Sequence, residues 1–513
     1  MATRPTTSAL RARVVGARGS RSAATVRELP RRAWRRVRST PPALAVLLVL
    51  AAANGIAWAA VTPPIHGPDE LTHVAYVQAL VETGDGPLRD SGTAQYSREL
   101  EIIGQGLNVL PIVQHFEGRP AWHRVDEVEA QLEREGAAAR NAATGPNAAA
   151  ANPPVYYLYA AAVWELTPDR SLLGRLMSVR LATIALFVVT VGLAWLVAAE
   201  LFSAAWARPL VAGVVALNPK LASIAGNVNP DAMLVLLSTA VLLAALRLVQ
   251  RGPTPGRVAA LAVLALLGVL THGRGYFLAP LAGAVVAIAL WRARPPRRTA
   301  LVLGGAAAAT LALALVLGAA WTRSHAGGAA FGGAAPAAGS FVPREFLSYV
   351  WQFYFPRFAF LDASVGQGYG YRELFVTRFF GGAVNLEIDL PNKAYDAIQV
   401  GAWLGLLAVW TALAARWRDV ARRWPALAVC ALMFLGMMAL LHLVSYTSIK
   451  AGGGVVITGR YLLPCIALMG VAIAFVATSL PRWLGVPLAG AALALASLHS
   501  IVLLGLAAER FLA

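Results

Sequence analysis

The sequence predicts an all-α integral membrane protein that crosses the bilayer about eleven times. Three observations lead there. Of 513 residues, 58% are hydrophobic and 14% charged, which is too little polar surface for a soluble chain of this length. Apolar runs of about 20 residues, each long enough for a helix across the hydrocarbon core, recur along most of the chain. Backbone polar groups inside a bilayer must also pair within their own segment, which makes helix the default.

The predicted spans are 42–62, 172–199, 209–225, 231–249, 258–271, 275–291, 299–321, 396–415, 425–446, 461–479 and 484–507. Gly273 and Gly275 barely separate the fifth from the sixth. Residues 1–41 hold eleven Arg and one acidic residue, Glu28, and read as a basic cytoplasmic tail ahead of a membrane domain, 42–513. With the N-terminus inside, every compact basic loop falls on the cytoplasmic side, as the positive-inside rule asks. These loops are 200–208, 250–257, 292–298, 416–424 and 480–483. Segment 63–154, with thirteen of the 26 acidic residues, then lies outside. The expected location is the plasma membrane. The first span reads better as an uncleaved signal anchor than as a leader ending at "AWAA" (57–60).

The net charge of +18 therefore serves topology and anionic lipid rather than nucleic acid. Cys430 and Cys465, both in predicted spans, build neither a disulfide framework nor a zinc site. The absence of a P-loop and of a dinucleotide fingerprint argues against ATP-driven transport by this chain.

Two outer segments are long, 63–171 and 322–395. The first starts with "HGPDELTHVAY" (66–76), continues to a polar helix expected over 124–135, and ends in an Ala-rich linker, 141–152. The second starts with a Gly/Ala linker, 326–340, and turns aromatic in "FLSYVWQFYFPRFAF" (346–360). That stretch reads either as a surface-lying or re-entrant helix or as a loop against the bundle's outer end.

The unusual polar residues all map to the outer face. Asp69, Glu70 and His73 follow the first span, and Tyr156 and Tyr157 precede the second. Lys220, Asn229 and Asp231 flank the third and fourth. His272, Arg274 and Tyr276 join the fifth and sixth, while Lys450, Arg460 and Tyr461 lie between the ninth and tenth. Ionisable groups at membrane depth usually line a wet cavity or pair with one another. One outward-facing cavity, with carboxylates on one wall and cations on another, is the economical reading. Ordinary uses compete with it. Pro68, Asp69 and Glu70 make a good helix start. Asn229, Pro230 and Asp231 do the same for the fourth span. Arg460 and Tyr461 suit a snorkelling anchor and a belt residue. His66, Asp69 and His73 have donor types that suit a divalent cation, although no cofactor is required by the pattern.

An Asp-Glu pair just outside the first span, a long first outer loop, about eleven spans and an Arg-Tyr-Leu before a late span resemble the GT-C membrane glycosyltransferases, and the stretches "PPIHGPDELTH", "NPPVYYLY", "LNPKLASIAGNVNPDA" and "GRYLLP", in this order, narrow the resemblance. Within that set the chain looks like a family of bacterial polytopic proteins with P-D-E-x-x-H after the first span and G-R-Y-x-x-P before a late one. The resemblance covers most of 42–480. It implies transfer of a sugar from a polyprenyl-phosphate donor to a glycan or lipid acceptor outside the cytoplasm, with inversion. Asp69 would be the general base and Glu70 would assist it by orienting the acceptor or holding Asp69. Arg460 would hold the departing phosphate bidentately, with Lys220, His272, Arg274 and Lys450 as candidate second contacts. "THGRGY" departs from the pattern by offering His and Arg where a Lys is expected before the Tyr. Other classes remain open: a flippase or transporter of lipid-linked glycans, a glycan ligase or polymerase, or a non-catalytic assembly subunit. The one-sided placement of the polar residues and the lack of an internal repeat favour an enzyme over a transporter.

Overall fold

The computed structural model describes residues 40–89, 96–109, 118, 120, 122–136, 147–169, 171–327, 341–361, 370–452 and 454–512. The basic tail up to residue 39, the linker stretch 141–146 and most of the Gly/Ala linker, 328–340, lie outside them. The chain divides into two units, 1–46 and 47–513. The described part of the first is Thr40 to Val46, which ends in the opening turn of helix α1 (Pro42–Val61).

In the segment 63–171 that follows are α2 (Glu70–Thr83), α3 (Arg98–Gly106), α4 (Val125–Glu135) and α5 (Val155–Leu166). Then come α6 (Leu172–Leu201), α7 (Ala207–Ala216), α8 (Pro219–Ala225), α9 (Asp231–Arg251), α10 (Pro255–Val269), α11 (Leu278–Ala293) and α12 (Arg297–Ala326). The second outer segment contributes α13 (Pro343–Tyr354) and a π-turn over Arg372–Thr377. The chain finishes with α14 (Asn392–Ala415), α15 (Trp417–Arg422), α16 (Trp424–Lys450), α17 (Ile466–Ser479) and α18 (Arg482–Leu512). Short 3-10 stretches, Gly273–Phe277 and Gly459–Cys465, lead into α11 and α17.

Among the described residues, nine of these stretches are long and apolar enough to cross a bilayer. The remaining two expected spans are helical but short. The third is interrupted, because Asn218 caps α8 by accepting the Leu221 N–H at 2.8 Å and Pro219 occupies its first turn. An Asn-Pro pair restarts a helix rather than continuing one. The fifth, α10, stops where Gly275 comes so close to Gly268 that an added Cβ would lie 2.0 Å from the Gly268 carbonyl oxygen.

The polar helix expected over 124–135 is α4. The expected flexible stretch departs from its reading at 148–151, which forms a 3-10 turn capped by Asn147. Trp321 on α12 donates to the Ala150 carbonyl at 3.1 Å, so this alanine run is pinned rather than loose. The aromatic segment begins as α13, helical with Tyr349 and Phe353 buried and Leu347 and Trp351 exposed.

Among the described residues, two of the apolar clusters hold most of the helices in place. The larger joins α9, α10, α11, α12 and α16. The smaller seats the outer helices α2, α3 and α5 on α6 and α9. Helix α14, by contrast, buries only Tyr395 and Ala412 and turns Leu404, Leu407 and Trp410 outward, the pattern of a lipid-facing helix.

One buried cation ties the outer loop to this frame. Arg180, in the first third of apolar α6, is 1% exposed and uses all five of its N–H bonds. Its Nη1 donates to the carbonyls of Ala59 (3.0 Å) and Thr62 (2.9 Å), and its Nη2 to that of Pro63 (2.8 Å). Its Nε and Nη2 reach Glu70 Oε1 at 2.8 Å and Oε2 at 2.6 Å. Glu70 also accepts the backbone N–H of Val228 at 2.9 Å and of Gly67 at 3.2 Å. The end of α1, the start of α2 and the α8–α9 turn thus meet on one ion pair. Removing one partner of such a pair strands a buried charge, at about 3–5 kcal/mol. Glu70→Ala is therefore expected to lower unfolding free energy in detergent by about that amount. Unchanged denaturant midpoints for purified Glu70→Ala would refute the structural role.

Candidate functional site

The loop between α1 and α2 carries the "HGPDE" motif in a constrained backbone. Ile65 and Asp69 both adopt left-handed conformations, with φ of 57° and 58°. Asp tolerates that region, but a β-branched Ile does so only when its surroundings dictate it. Gly67 is required between them: an added Cβ would lie 2.3 Å from Asn227 Cγ.

Asp69 occupies the N-cap position of α2 yet makes no side-chain cap. Its Oδ2 accepts instead from Arg460 Nη2, a residue 391 positions later in the 3-10 turn before α17. The Asp69 side chain is 55% exposed and that of Arg460 21%, so the pair stands at a water-accessible surface. The Arg460 guanidinium holds the Asp69 carboxyl below the usual carboxylate range, against partial desolvation. Arg460 comes this close because Gly459 lies flush on the π-turn; an added Cβ there would meet Phe379 N at 2.5 Å.

A second ion pair adjoins the first. Arg274 donates to Asp231 Oδ1, and its Cζ lies 3.9 Å from the Tyr461 ring centre, with Arg460 Cζ at 5.4 Å from the same ring. Both cations thus rest against one aromatic face system, an attraction that burial strengthens. His272 Nδ1 accepts the Arg274 backbone N–H at 3.0 Å, and its Nε2 lies 3.0 Å from Arg274 Nη2. Burial, then the neighbouring Arg274, push the His272 pKa well down, so this ring is neutral. Asn229 caps with Oδ1 on the Asp231 N–H (2.9 Å) and donates Nδ2 to the Pro68 carbonyl (2.9 Å), which joins α9 to the motif loop.

On α2, His73 Nδ1 lies 2.9 Å from Tyr157 Oη. Tyr157 stacks on Tyr76 at 3.6 Å, while Tyr156 turns to Thr183 at 3.0 Å. Burial pushes the His73 pKa down to about 4, although Asp69 and Asp231 pull the other way. Lys220 Nζ donates to the Gly382 carbonyl at 2.6 Å and interacts electrostatically with Arg460, Asp389 and Arg378.

Several expected site residues sit elsewhere. Lys450 pairs with Glu345 on α13 at 2.8 Å, drawn there by the adjoining Tyr446 and the outer aromatic helix. Tyr276 turns to Thr322 on α12, where it fills the space that Gly318 leaves open. Glu70, committed to Arg180 beneath the loop, has both carboxylate oxygens engaged and accepts from the backbone N–H groups of Gly67 and Val228, with no contact to the Asp69 side chain. The three residues with cation-suited donors do not converge either. His66 Nε2 lies 2.6 Å from Glu387, His73 faces Tyr157, and Asp69 faces Arg460. Among the described residues no group of three metal-ligating side chains could hold an ion.

The structure also adds residues that local sequence patterns do not reveal. Arg180 is one, although an ionisable residue inside an apolar span is itself a signal. Others are Glu387 and Arg510, which join His66: Arg510 Nε donates to Glu387 at 3.1 Å, while Asn385 Nδ2 donates to the His66 carbonyl at 2.7 Å. Only the fold brings these distant positions together.

The arrangement offers a solvent-accessible carboxylate beside donors with spare capacity. The donors Arg460 Nε and Arg274 Nε and Nη1 are buried without a hydrogen-bond partner among the described residues, as is the acceptor Asp231 Oδ2. Unsatisfied buried guanidinium N–H groups at a site edge are suited to an oxygen-rich anion.

His73 provides a pH test of this geometry. Its folded pKa of about 4 lies below the ordinary value near 6.5. The unfolded chain then binds more protons between those values, so stability is fully present above about 6.5 and falls as pH drops towards 4. The loss approaches roughly 3 kcal/mol. His73→Gln should flatten the fall in unfolding temperature over that window, leaving the part due to His272. An unaltered pH slope would show that the ring is not buried neutral.

Among curated proteins, none matches the chain in sequence. Similar solved structures include the oligosaccharyltransferase of Archaeoglobus fulgidus in its apo form, with TM-score 0.47 and 12% identity over 90% of this chain and 56% of that one. The same organism's oligosaccharyltransferase AglB, in complex with an inhibitory peptide and a dolichol-phosphate, gives TM-score 0.47 and 13% identity over 91% and 56%. ArnT from Cupriavidus metallidurans, bound to undecaprenyl phosphate, gives TM-score 0.43 and 15% identity over 86% and 61%. The chain spans less than two thirds of the length of each. Residues 53–469 match the family described as "Predicted membrane protein (DUF2142)", and the chain belongs to that family.

Proposed function

We propose that this protein is a membrane glycosyltransferase that moves a sugar from a polyprenyl-phosphate donor to an acceptor hydroxyl on the extracytoplasmic side, with inversion at the anomeric carbon. The observation that carries the reading is the meeting of Asp69 and Arg460 at an accessible surface. Asp69 takes the proton of the acceptor hydroxyl as its oxygen attacks the anomeric carbon. The bond from that carbon to the phosphate oxygen breaks, and its electron pair leaves on the lipid phosphate. That leaving group needs charge stabilisation more than a proton. Arg460 supplies it, with Arg274 and Lys220 as the adjoining cations. His73 and His272, neutral by burial, add hydrogen bonding without opposing the carboxylates. Arg460 holds Asp69 through Nη2 while its Nε is free among the described residues, so a phosphate that takes both Nε and Nη2 draws Arg460 off Asp69 and releases the base.

The test is sugar transfer by the purified full-length chain from defined synthetic polyprenyl-phosphate sugars, followed by mass spectrometry of the glycosylated product. Asp69→Asn is expected to lower the rate about 10²–10⁴-fold with folding retained. Arg460→Lys should also lose most activity, since a point charge does not replace a bidentate fork. Full transfer by Asp69→Asn would remove the carboxyl from the mechanism. Movement of intact lipid-linked glycans across vesicles without any transfer would favour the transporter reading.

A further inference from the structure

A cavity of about 940 Å³ opens between α14, α16 and α17, apart from the pairs just described. Neither Asp69, Arg460, Arg274 nor Lys220 lines it. On α17 its wall runs from Ile466 to Thr478, which at the helical rise is a length of about 18 Å, more than one leaflet of hydrocarbon. Its sides are apolar, with Leu427, Phe434, Met469, Ala472 and Phe475 among them.

Its ends differ in chemistry. At one lie Phe375, Phe379 and Phe380; at the other lie Arg416, Arg422 and Arg423 with Asp419 as the sole carboxylate in the lining. The arginines are not saturated by that carboxylate. Arg416 and Arg422 approach Asp419 only at 3.7 and 3.8 Å, and Arg422 is 80% exposed. Trp417 and Trp424, 61% and 38% exposed, flank the same mouth, where aromatic rings mark headgroup level.

We infer that this cavity is a binding site for one anionic phospholipid, its phosphate held by the Arg416–Arg423 mouth and its acyl chains laid along α17. Charge decides the occupant. An isoprenoid phosphate held at Arg460 would put its anion at the opposite end, whereas here the surplus of guanidinium groups stands at the cavity's own mouth. A zwitterionic lipid would carry a cation into that surplus. The site is independent of the catalytic reading and stands whether or not the protein transfers sugars.

The purified full-length chain is equilibrated in mixed micelles with phosphatidylglycerol or phosphatidylcholine of identical acyl chains, and retained lipid is counted by native mass spectrometry. The wild type is expected to retain phosphatidylglycerol at least fivefold over phosphatidylcholine. Arg422→Gln, at an exposed side chain, should cut that preference about fivefold, as for one basic residue at a lipid surface. Ala472→Trp should sharply lower retention of both by obstructing the acyl-chain path along α17. Both of the protein's cysteines line this cavity, so phosphatidylglycerol should also slow N-ethylmaleimide alkylation of partly exposed Cys430 in the wild type. Equal retention of the two lipids, or a preference that survives Arg422→Gln, would each overturn the assignment.

Discussion

The buried Arg180–Glu70 pair is the constraint from which the outer half of the molecule follows. A guanidinium in the interior is tolerated only when its N–H groups are met and its charge is balanced. Arg180 meets three carbonyls at the end of α1 and both oxygens of Glu70 at the start of α2. Six residues of chain must then turn within a small space. That is why Ile65 accepts a left-handed conformation and why the motif needs Gly67 against Asn227. The product of this confinement is the position of Asp69, lifted out of the capping geometry and directed at Arg460.

The membrane architecture was legible in the sequence because it depends on local quantities. Length and apolarity of each run, with Asn-Pro and Gly breaks, locate helices without any knowledge of tertiary structure. All eleven expected spans correspond to helical stretches, even where Asn218 and Pro219 divide the third. The site was legible in part. Asp69, His73, Asp231, His272, Arg274, Arg460 and Tyr461 do come together, because ionisable groups at one membrane face have few other places to go. What was not legible is the choice of partner. Lys450 and Arg460 lie ten residues apart in chemically similar loops, yet one binds Glu345 and the other Asp69. That outcome rests on the outer aromatic helix α13, whose docking no pattern in residues 448–464 encodes. Glu70 was misread for a similar reason, since its partner is 110 residues away.

Charge balance explains why two ion pairs, rather than bare cations, form the candidate site. Asp69 and Asp231 neutralise Arg460 and Arg274, and the neutral imidazoles of His73 and His272 add nothing to the sum. Such a cluster is stable at the membrane surface without a ligand, where four isolated charges would not be. It is also directional. An entering phosphodiester can replace the carboxylate on a guanidinium because it can bind bidentately, and it gains a further negative charge as the sugar leaves. The reverse substitution, a second cation for Arg460, gains no comparable fit.

The two pairs are not equivalent in this exchange. Asp231 is 2% exposed, with one oxygen on Arg274 and the adjoining backbone capped through Asn229, so moving it would unmake the start of α9. Asp69 is held by side-chain contact with Arg460, while the confined loop fixes only its backbone. Its carboxylate can therefore swing free at little structural cost, whereas that of Asp231 cannot. On the proposed reading, this asymmetry assigns the roles: the buried pair keeps Arg274 and Tyr461 in register, and the accessible pair opens. A base kept below its usual pKa by its own partner is weak until that partner is taken away. On that reading, the strength of the base is tied to the arrival of the anion that makes the base useful.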